Sequence, residues 1–188
     1  MVVAKVRQIT GGFSQDVDEQ WKDFKQMYDW VIRNVKYSRD TPLPVLPYNL
    51  DGSPVTWTKE YWRTPKETIE DKAGDCEDMA LLLTSMLLAY NRGQFSEWVI
   101  QMESPTKGHL AAAFPVKGGK LTILDAAANY YTSSFGYLTA KDVSTAVNEW
   151  LAHLSDEMPG AHVAAVFSDG FYETFTSTEQ FINWVTER

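Results

Sequence analysis

Ala73-Gly74-Asp75-Cys76-Glu77-Asp78-Met79-Ala80 is the stretch whose reading decides how the rest of the chain is arranged. It carries the only cysteine and opens the most apolar segment, Ala80 to Ala89, which reads Ala-Leu-Leu-Leu-Thr-Ser-Met-Leu-Leu-Ala. These are good helix formers with apolar side chains on nearly every face, followed by the stop signals Asn91 and Gly93. A helix that is apolar all round is a buried helix, and this one is too short to span a bilayer. Asp75 as N-cap and Asp78 at the third helical position form a variant of the capping box, and carboxylates in the first turn suit the positive end of the helix dipole. Cys76 is thereby placed at the helix N-terminus.

That position favours a thiolate, because unpaired backbone N–H groups point at the sulfur. Asp75, Glu77 and Asp78 push the other way. An activated thiol here needs a positive partner such as a histidine, or a metal that neutralises the carboxylates. Taken alone, a cysteine before a buried helix is most often a small inert core residue. The downstream residues therefore carry the decision.

Composition narrows the classes. With 188 residues and 44% hydrophobic content, the chain has the size of one domain with a sizeable core, and residues 1–188 are expected to form it. The net charge of -8, without a basic stretch, argues against nucleic acid or an anionic membrane as partner. Seven tryptophans, nine tyrosines and nine phenylalanines suit a large core or an aromatic-lined cleft. One cysteine excludes an internal disulfide framework and leaves the compartment open. Met1-Val2-Val3-Ala4-Lys5 lacks the apolar run of a signal peptide. The expectation is a soluble chain with no membrane insertion by this segment, or equally a domain of an exported or anchored protein. Oligomeric state is open. There are no internal repeats, Gly-rich phosphate loops or Cys/His zinc patterns.

Working outward, residues 1–13 read as a short mixed segment. Asp16 to Lys36 has apolar residues stepping by three and four, a helix with one buried face. Asp40 to Trp57, with Pro42, Pro44, Pro47, Pro54 and Asp51-Gly52, reads as an irregular loop that could wall a cleft through Tyr48 and Trp57. Thr64, Pro65 and Glu67 signal a capped helix start. Beyond the central helix, Phe95 to Met102 reads as a strand. His109 to Val116 and Lys120 to Ala126 read as a hairpin around Lys117-Gly118-Gly119. A three-residue loop pairs Val116 with Lys120, Ala113 with Ile123 and Ala111 with Asp125. Asp125 then lies diagonal to His109 on one face, about 7–8 Å away between backbones, and Ala111 and Ala113 are expected to leave room for the Cys76 helix. Lys141 to Leu154 reads as an amphipathic helix with Trp150 inward. Ala161 to Phe167 and Phe171 to Phe175 read as a second hairpin, and Ser177 caps a last helix. His153 and His162 lack ligand spacing and are expected to be solvated.

Cys76, His109 and Asp125 together supply a thiol nucleophile, a general base and a carboxylate that fixes the base's tautomer. The residues Trp62-x-x-Pro65-x-Glu67-Thr68, Gly74-Asp75-Cys76-Glu77-Asp78-x-Ala80, Gly108-His109 and Leu124-Asp125 resemble the transglutaminase-like superfamily, closest to its bacterial and archaeal cysteine-peptidase-like branch. The resemblance covers about residues 57–128. It implies an α+β, papain-like fold with a central buried helix on an antiparallel sheet and peripheral helices. It also implies Cys76 as nucleophile, His109 as base and then acid, and Asp125 as orienter. The Cys76 N–H would be one oxyanion donor, with Tyr48 or Trp57 as candidates for the second. No cofactor is required by such chemistry, and calcium is a candidate ligand of Asp75 and Glu77 by the same resemblance. One departure is Ala111 where many members carry an aromatic, which favours hydrolysis of a protein or peptide substrate over crosslinking.

The leading expectation is amide-bond hydrolysis through an acyl-enzyme thioester. The alternatives are a protein-glutamine transamidase or deamidase, and a non-catalytic binding module that keeps the fold. A weaker one makes Asp75, Glu77, Asp78 and His109 a metal site.

Overall fold

A computed structural model describes residues 1–58 and 60–188, except the side chains of 44–48, 54 and 55. Two helices come first, α1 (Val2–Thr10) and α2 (Val17–Asn34), followed by the short strand β1 (Lys36–Tyr37) and the hairpin β2 (Leu43–Tyr48) and β3 (Pro54–Thr58). Helix α3 (Pro65–Asp71) and strand β4 (Ala73–Gly74) lead into the central helix α4 (Cys76–Asn91). Strands β5 (Trp98–Glu103), β6 (Gly108–Val116) and β7 (Lys120–Asp125) follow, then the two-residue strands β8 (Tyr130–Tyr131), β9 (Ser133–Ser134), β10 (Tyr137–Leu138) and β11 (Lys141–Asp142). Helix α5 (Val143–His153), strands β12 (His162–Ser168) and β13 (Phe171–Thr174) and helix α6 (Thr178–Thr186) complete the chain.

The main sheet runs β11-β7-β6-β5-β12-β13, with β8 also on β7, and its pairings are antiparallel. Both faces are covered. On one face Ala112, Phe114 and Leu124 meet Met79, Leu82, Leu83, Met86 and Leu87 of α4, backed by Phe24, Met27 and Val31 of α2. Leu82, Leu83 and Leu87 have no exposed surface, each stabilising the fold by about 1.5–3 kcal/mol. On the other face Ala111, Ala113, Leu121 and Ile123 meet Val147 and Trp150 of α5 and Phe181 of α6.

The expected caps of α2 and α3 are present, while at α4 the Asp75 N–H donates to Asp78 and the Asp75 side chain makes no cap bond. Asp16 accepts from the Glu19 N–H at 3.0 Å at the start of α2, and Thr64 and Glu67 close a reciprocal box on α3. The hairpin register matches at Val116 opposite Lys120 and Ala113 opposite Ile123, across a three-residue turn in which Gly118 and Gly119 take positive φ. The ladder ends at Ala112 opposite Leu124, so the expected Ala111–Asp125 pair is not part of it and Asp125 pairs with Tyr130.

Three expectations are corrected. Residues 1–13 hold helix α1, whose Val6 is buried among α2 and α4 residues and which ends at Gly11 with φ 79°. Nine residues are marginal as an isolated helix, so this one depends on the apolar surface it covers. The proline-rich stretch is a two-stranded ribbon with a register shift between Val45 and Tyr48, because such a ribbon has outer edges where proline's missing N–H leaves no bond unmade. Finally, Ala111 and Ala113 face α5 and α6, and it is Ala112 that accommodates the Cys76 helix. Among the described residues no helix is long and apolar enough to cross a membrane.

Candidate active site

Cys76 is the first residue of α4, and the chain around it is held by a tight knot of side chains. The Asp78 carboxylate accepts the Asp75 N–H at 3.3 Å, the Arg63 N–H at 2.7 Å and the Arg63 guanidinium at 2.6 Å. Arg63 also reaches Asp40 at 2.9 Å, and the Tyr61 N–H donates to the same Asp40 carboxylate. A Cβ at Gly74 would stand 2.6 Å from the Cβ of Asp78, so glycine there lets the β4 backbone approach the helix start. The parallel pair β1–β4 sets Tyr37 opposite Gly74. Its phenol is pushed up by burial and by the charges of Cys76 and Asp75.

The hairpin supplies the other half. His109 Nε2 lies 2.6 Å from Asp125 Oδ2. Trp150 Nε1–H donates to the same oxygen at 2.8 Å, and the Ala128 N–H donates to Oδ1 at 2.9 Å. The Trp150 and Ala128 groups can only donate, so Asp125 is an acceptor and its histidine contact places the ring proton on Nε2. Nδ1 is then the free acceptor. Asp125 is fully buried and His109 retains a 12% exposed side chain, which leaves the ring open on one side. The ring also lies 6.3 Å from the Trp150 indole.

The two halves approach each other at Leu110, the neighbour of His109, whose backbone N–H favours the Cys76 thiolate. The thiol itself donates to Glu77 Oε2 at 3.3 Å. Burial first, and then the Glu77 charge, push the thiol up to about 12. Asp75 is pushed up to about 8 by burial and by its contact with Glu77. Both carboxyl groups carry a buried oxygen without a hydrogen-bond partner, Asp75 Oδ1 and Glu77 Oε1. Ligand oxygens of Asp40, Asp75 and Glu77 lie within 4.8 Å of one another. Three carboxylates with two orphaned oxygens fit a hard divalent cation such as calcium.

Of the residues named from sequence, His109 and Asp125 come together, as do Asp75 and Glu77, while the Cys76 thiol donates to Glu77 rather than to His109. Asp78 and His109 do not join a metal group, since Arg63 engages the first and Asp125 the second. Trp57 is 60% exposed, and the Tyr48 side chain lies outside the described residues. His153 is exposed, with its ring 3.1 Å from the Ala128 carbonyl. Sequence reasoning passed over Asp40 and Arg63, and read Trp150 only as core. The signal for Trp150 was its indole N–H, which a buried tryptophan must place on an acceptor.

A family model for the transglutaminase-like domain matches residues 4–151. The chain belongs to the transglutaminase-like domain family. Its α+β core, a buried cysteine-bearing helix on an antiparallel sheet, is accordingly the transglutaminase-like fold. The transglutaminase-like chain is 40% identical over 74 residues to the UPF0252 protein PH1321 of Pyrococcus horikoshii, a match covering 39% of this chain and 20% of that protein. The chain thus spans about a fifth of the length of this relative. Legionella pneumophila LapG is similar in shape at 17% identity and TM-score 0.48, over 100% of this chain and 97% of that one. Calcium-bound LapG gives 17% and 0.47, over 100% and 99%. EGTA-treated LapG gives 15% and 0.46, over 100% and 97%.

Proposed function

We propose that this transglutaminase-like chain is a thiol-dependent enzyme that hydrolyses amide bonds of a protein or peptide substrate, using Cys76, His109 and Asp125. The observation that supports the reading is the His109–Asp125 contact at 2.6 Å beside Leu110, whose backbone N–H favours the Cys76 thiolate. His109 Nδ1 takes the thiol proton as the sulfur attacks the substrate carbonyl carbon. The Cys76 N–H receives the developing oxyanion, with a side-chain donor from the β2–β3 hairpin as a second candidate. Collapse breaks the C–N bond, and His109 gives the proton to the leaving amine. Water, deprotonated by His109, then attacks the thioester and releases the acid and the free thiol. Asp125 holds the ring in the Nε2–H tautomer throughout. Residues 1–188 act as one such domain.

Asp40, Asp75 and Glu77 would hold calcium, which when bound supplies positive charge against the carboxylates flanking the thiol. Without the ion, burial first and then Glu77 and Asp75 favour the protonated Cys76 thiol, so the reading includes a calcium-dependent thiol. The deciding experiment is the pH profile of Cys76 alkylation by iodoacetamide in wild type and His109→Ala, each with calcium chloride and with EGTA. The expected result is fast alkylation at neutral pH in the calcium-loaded wild type, lost in the variant. A slow thiol with one unchanged profile in all four samples would remove the catalytic reading in favour of a binding module.

A further inference from the structure

The thiol has an aromatic flank that the acid–base chemistry does not use. Ala80 follows Cys76 by four residues and so lies one turn deeper on the same stripe of α4. It is buried with Val99 and Leu110, and Leu81 and Phe167 pack on that cluster. Leu110 therefore joins the two features, since its side chain packs with Ala80, one turn from Cys76, in the apolar floor while its backbone N–H favours the thiolate. Trp62 stacks on Phe167 with centroids 6.2 Å apart and planes at 28°, and Tyr172 lies against Phe167 at 6.0 Å. Trp62 is 49% and Tyr172 64% exposed, so this shelf opens to solvent where the two sheet faces are sealed by helices. It is also fixed in place. The residue after Trp62 is bound to Asp78 through both its backbone and its guanidinium, and the next residue caps α3. A pinned, half-exposed tryptophan whose supporting floor includes the helix residue one turn from the nucleophile is pre-organised for a side chain of the nucleophile's own substrate.

We propose that Trp62, Phe167 and Tyr172, on the Leu110 floor, form a subsite for a large apolar side chain, aromatic by stacking, on the peptide that acylates Cys76. This rests on the amide-bond reading above and names the substrate class for it. Offset stacking and an apolar floor favour a phenylalanine-like side chain over a methyl group, because only the larger group covers the exposed ring faces.

The test compares alkylation of Cys76 by acetyl-Phe-Gly and acetyl-Ala-Gly chloromethyl ketones. Their rates are read as a ratio, so that a general change in thiol reactivity cancels. Wild type is expected to favour the phenylalanine probe by about 10-fold or more. Trp62→Ala and Phe167→Leu should bring the ratio close to unity, and Trp62→Phe should retain most of it. Tyr172→Ala, on an exposed edge position, gives a second variant if removal of Trp62 disturbs folding. A wild-type ratio near unity, or one that survives Trp62→Ala, Phe167→Leu and Tyr172→Ala, overturns the proposal.

A parallel measurement separates this from failure of the amide-bond reading. Binding of acetyl-Phe-Gly-amide and acetyl-Ala-Gly-amide to Cys76→Ala is followed by tryptophan fluorescence. If alkylation is indifferent to His109 and the phenylalanine peptide still binds more tightly, the subsite stands and the acyl-transfer chemistry falls. Equal binding of the two peptides removes the subsite.

Discussion

Asp125 and Asp75 are both buried carboxyl groups of the same site, and their surroundings treat them oppositely. Asp125 receives donors from His109, Trp150 and the Ala128 backbone, leaving neither oxygen without a partner. Asp75 has one oxygen without a partner, beside Glu77 with another, and burial raises its affinity for a proton. A fully bonded carboxylate is completed by the protein itself. A pair with orphaned oxygens is left to be completed by a proton or a cation. Under the proposed function, the difference separates the part of the site that would orient the base from the part that would control the thiol.

The strongest way to break the comparison is to remove the satisfied side. Asp125→Ala should lower the rate of Cys76 acylation by a peptide ester by about 10³–10⁴-fold, since the ring loses the partner that selects its tautomer. Retained acylation in a folded variant would show that Asp125 is structural only.

Completing the unsatisfied side should have the next largest effect. Calcium at pH near 7.5 should speed Cys76 alkylation by about 10-fold or more, the change expected for each unit by which the thiol falls. Asp75→Asn should abolish that response. The sign for stability follows from the raised pKa of Asp75. Its contribution is full below the ordinary carboxylate range and is lost as pH rises through about 8. Apo protein should therefore lose melting temperature toward alkaline pH, and Asp75→Asn should flatten the profile. A calcium-independent thiol would remove the cation reading.

Weakening the satisfied side by one donor should be milder. Trp150→Phe removes the indole bond to Asp125 and is expected to destabilise by about 1–3 kcal/mol in urea unfolding, with a smaller loss of acylation than Asp125→Ala.

The smallest effect concerns a third buried acid that does not belong to the site. Glu97 accepts from Asn91 at 2.8 Å, has one orphaned oxygen, and is pushed well above the usual range by burial. Its stability contribution is likewise full at acid pH and lost as pH rises through the shifted pKa. Glu97→Gln should stay within about 1 kcal/mol of wild type at pH 5 and unfold less readily than wild type at alkaline pH. An unchanged pH dependence would show that Glu97 is not the group that titrates.

Where reading from sequence succeeded, the cause was local. Thr64 with Glu67, Asp16 with Glu19 and the three-residue turn before Lys120 each involve groups a few positions apart, so their geometry is written in the spacing. Tyr90 and Asp23, by contrast, bond at 2.5 Å across 67 positions, and nothing in either neighbourhood points to the other. The α1 helix and the β2–β3 ribbon were missed for the same reason, since each is shaped by what it packs on or pairs with.

The sequence by itself determined that Cys76 opens a buried helix and that His109 and Asp125 share a hairpin face, because capping chemistry and strand alternation are short-range. Only the tertiary structure decided which sheet face that helix covers. Leu110 to Phe114 is buried on both faces, so its run of apolar residues carries no alternation to read. Tertiary structure also decided that Asp40 stands beside Asp75 and Glu77, and that Trp150 donates to Asp125. Those contacts join carboxyl and indole groups 25 or more positions apart, brought together by burial of surfaces that the local sequence does not pair.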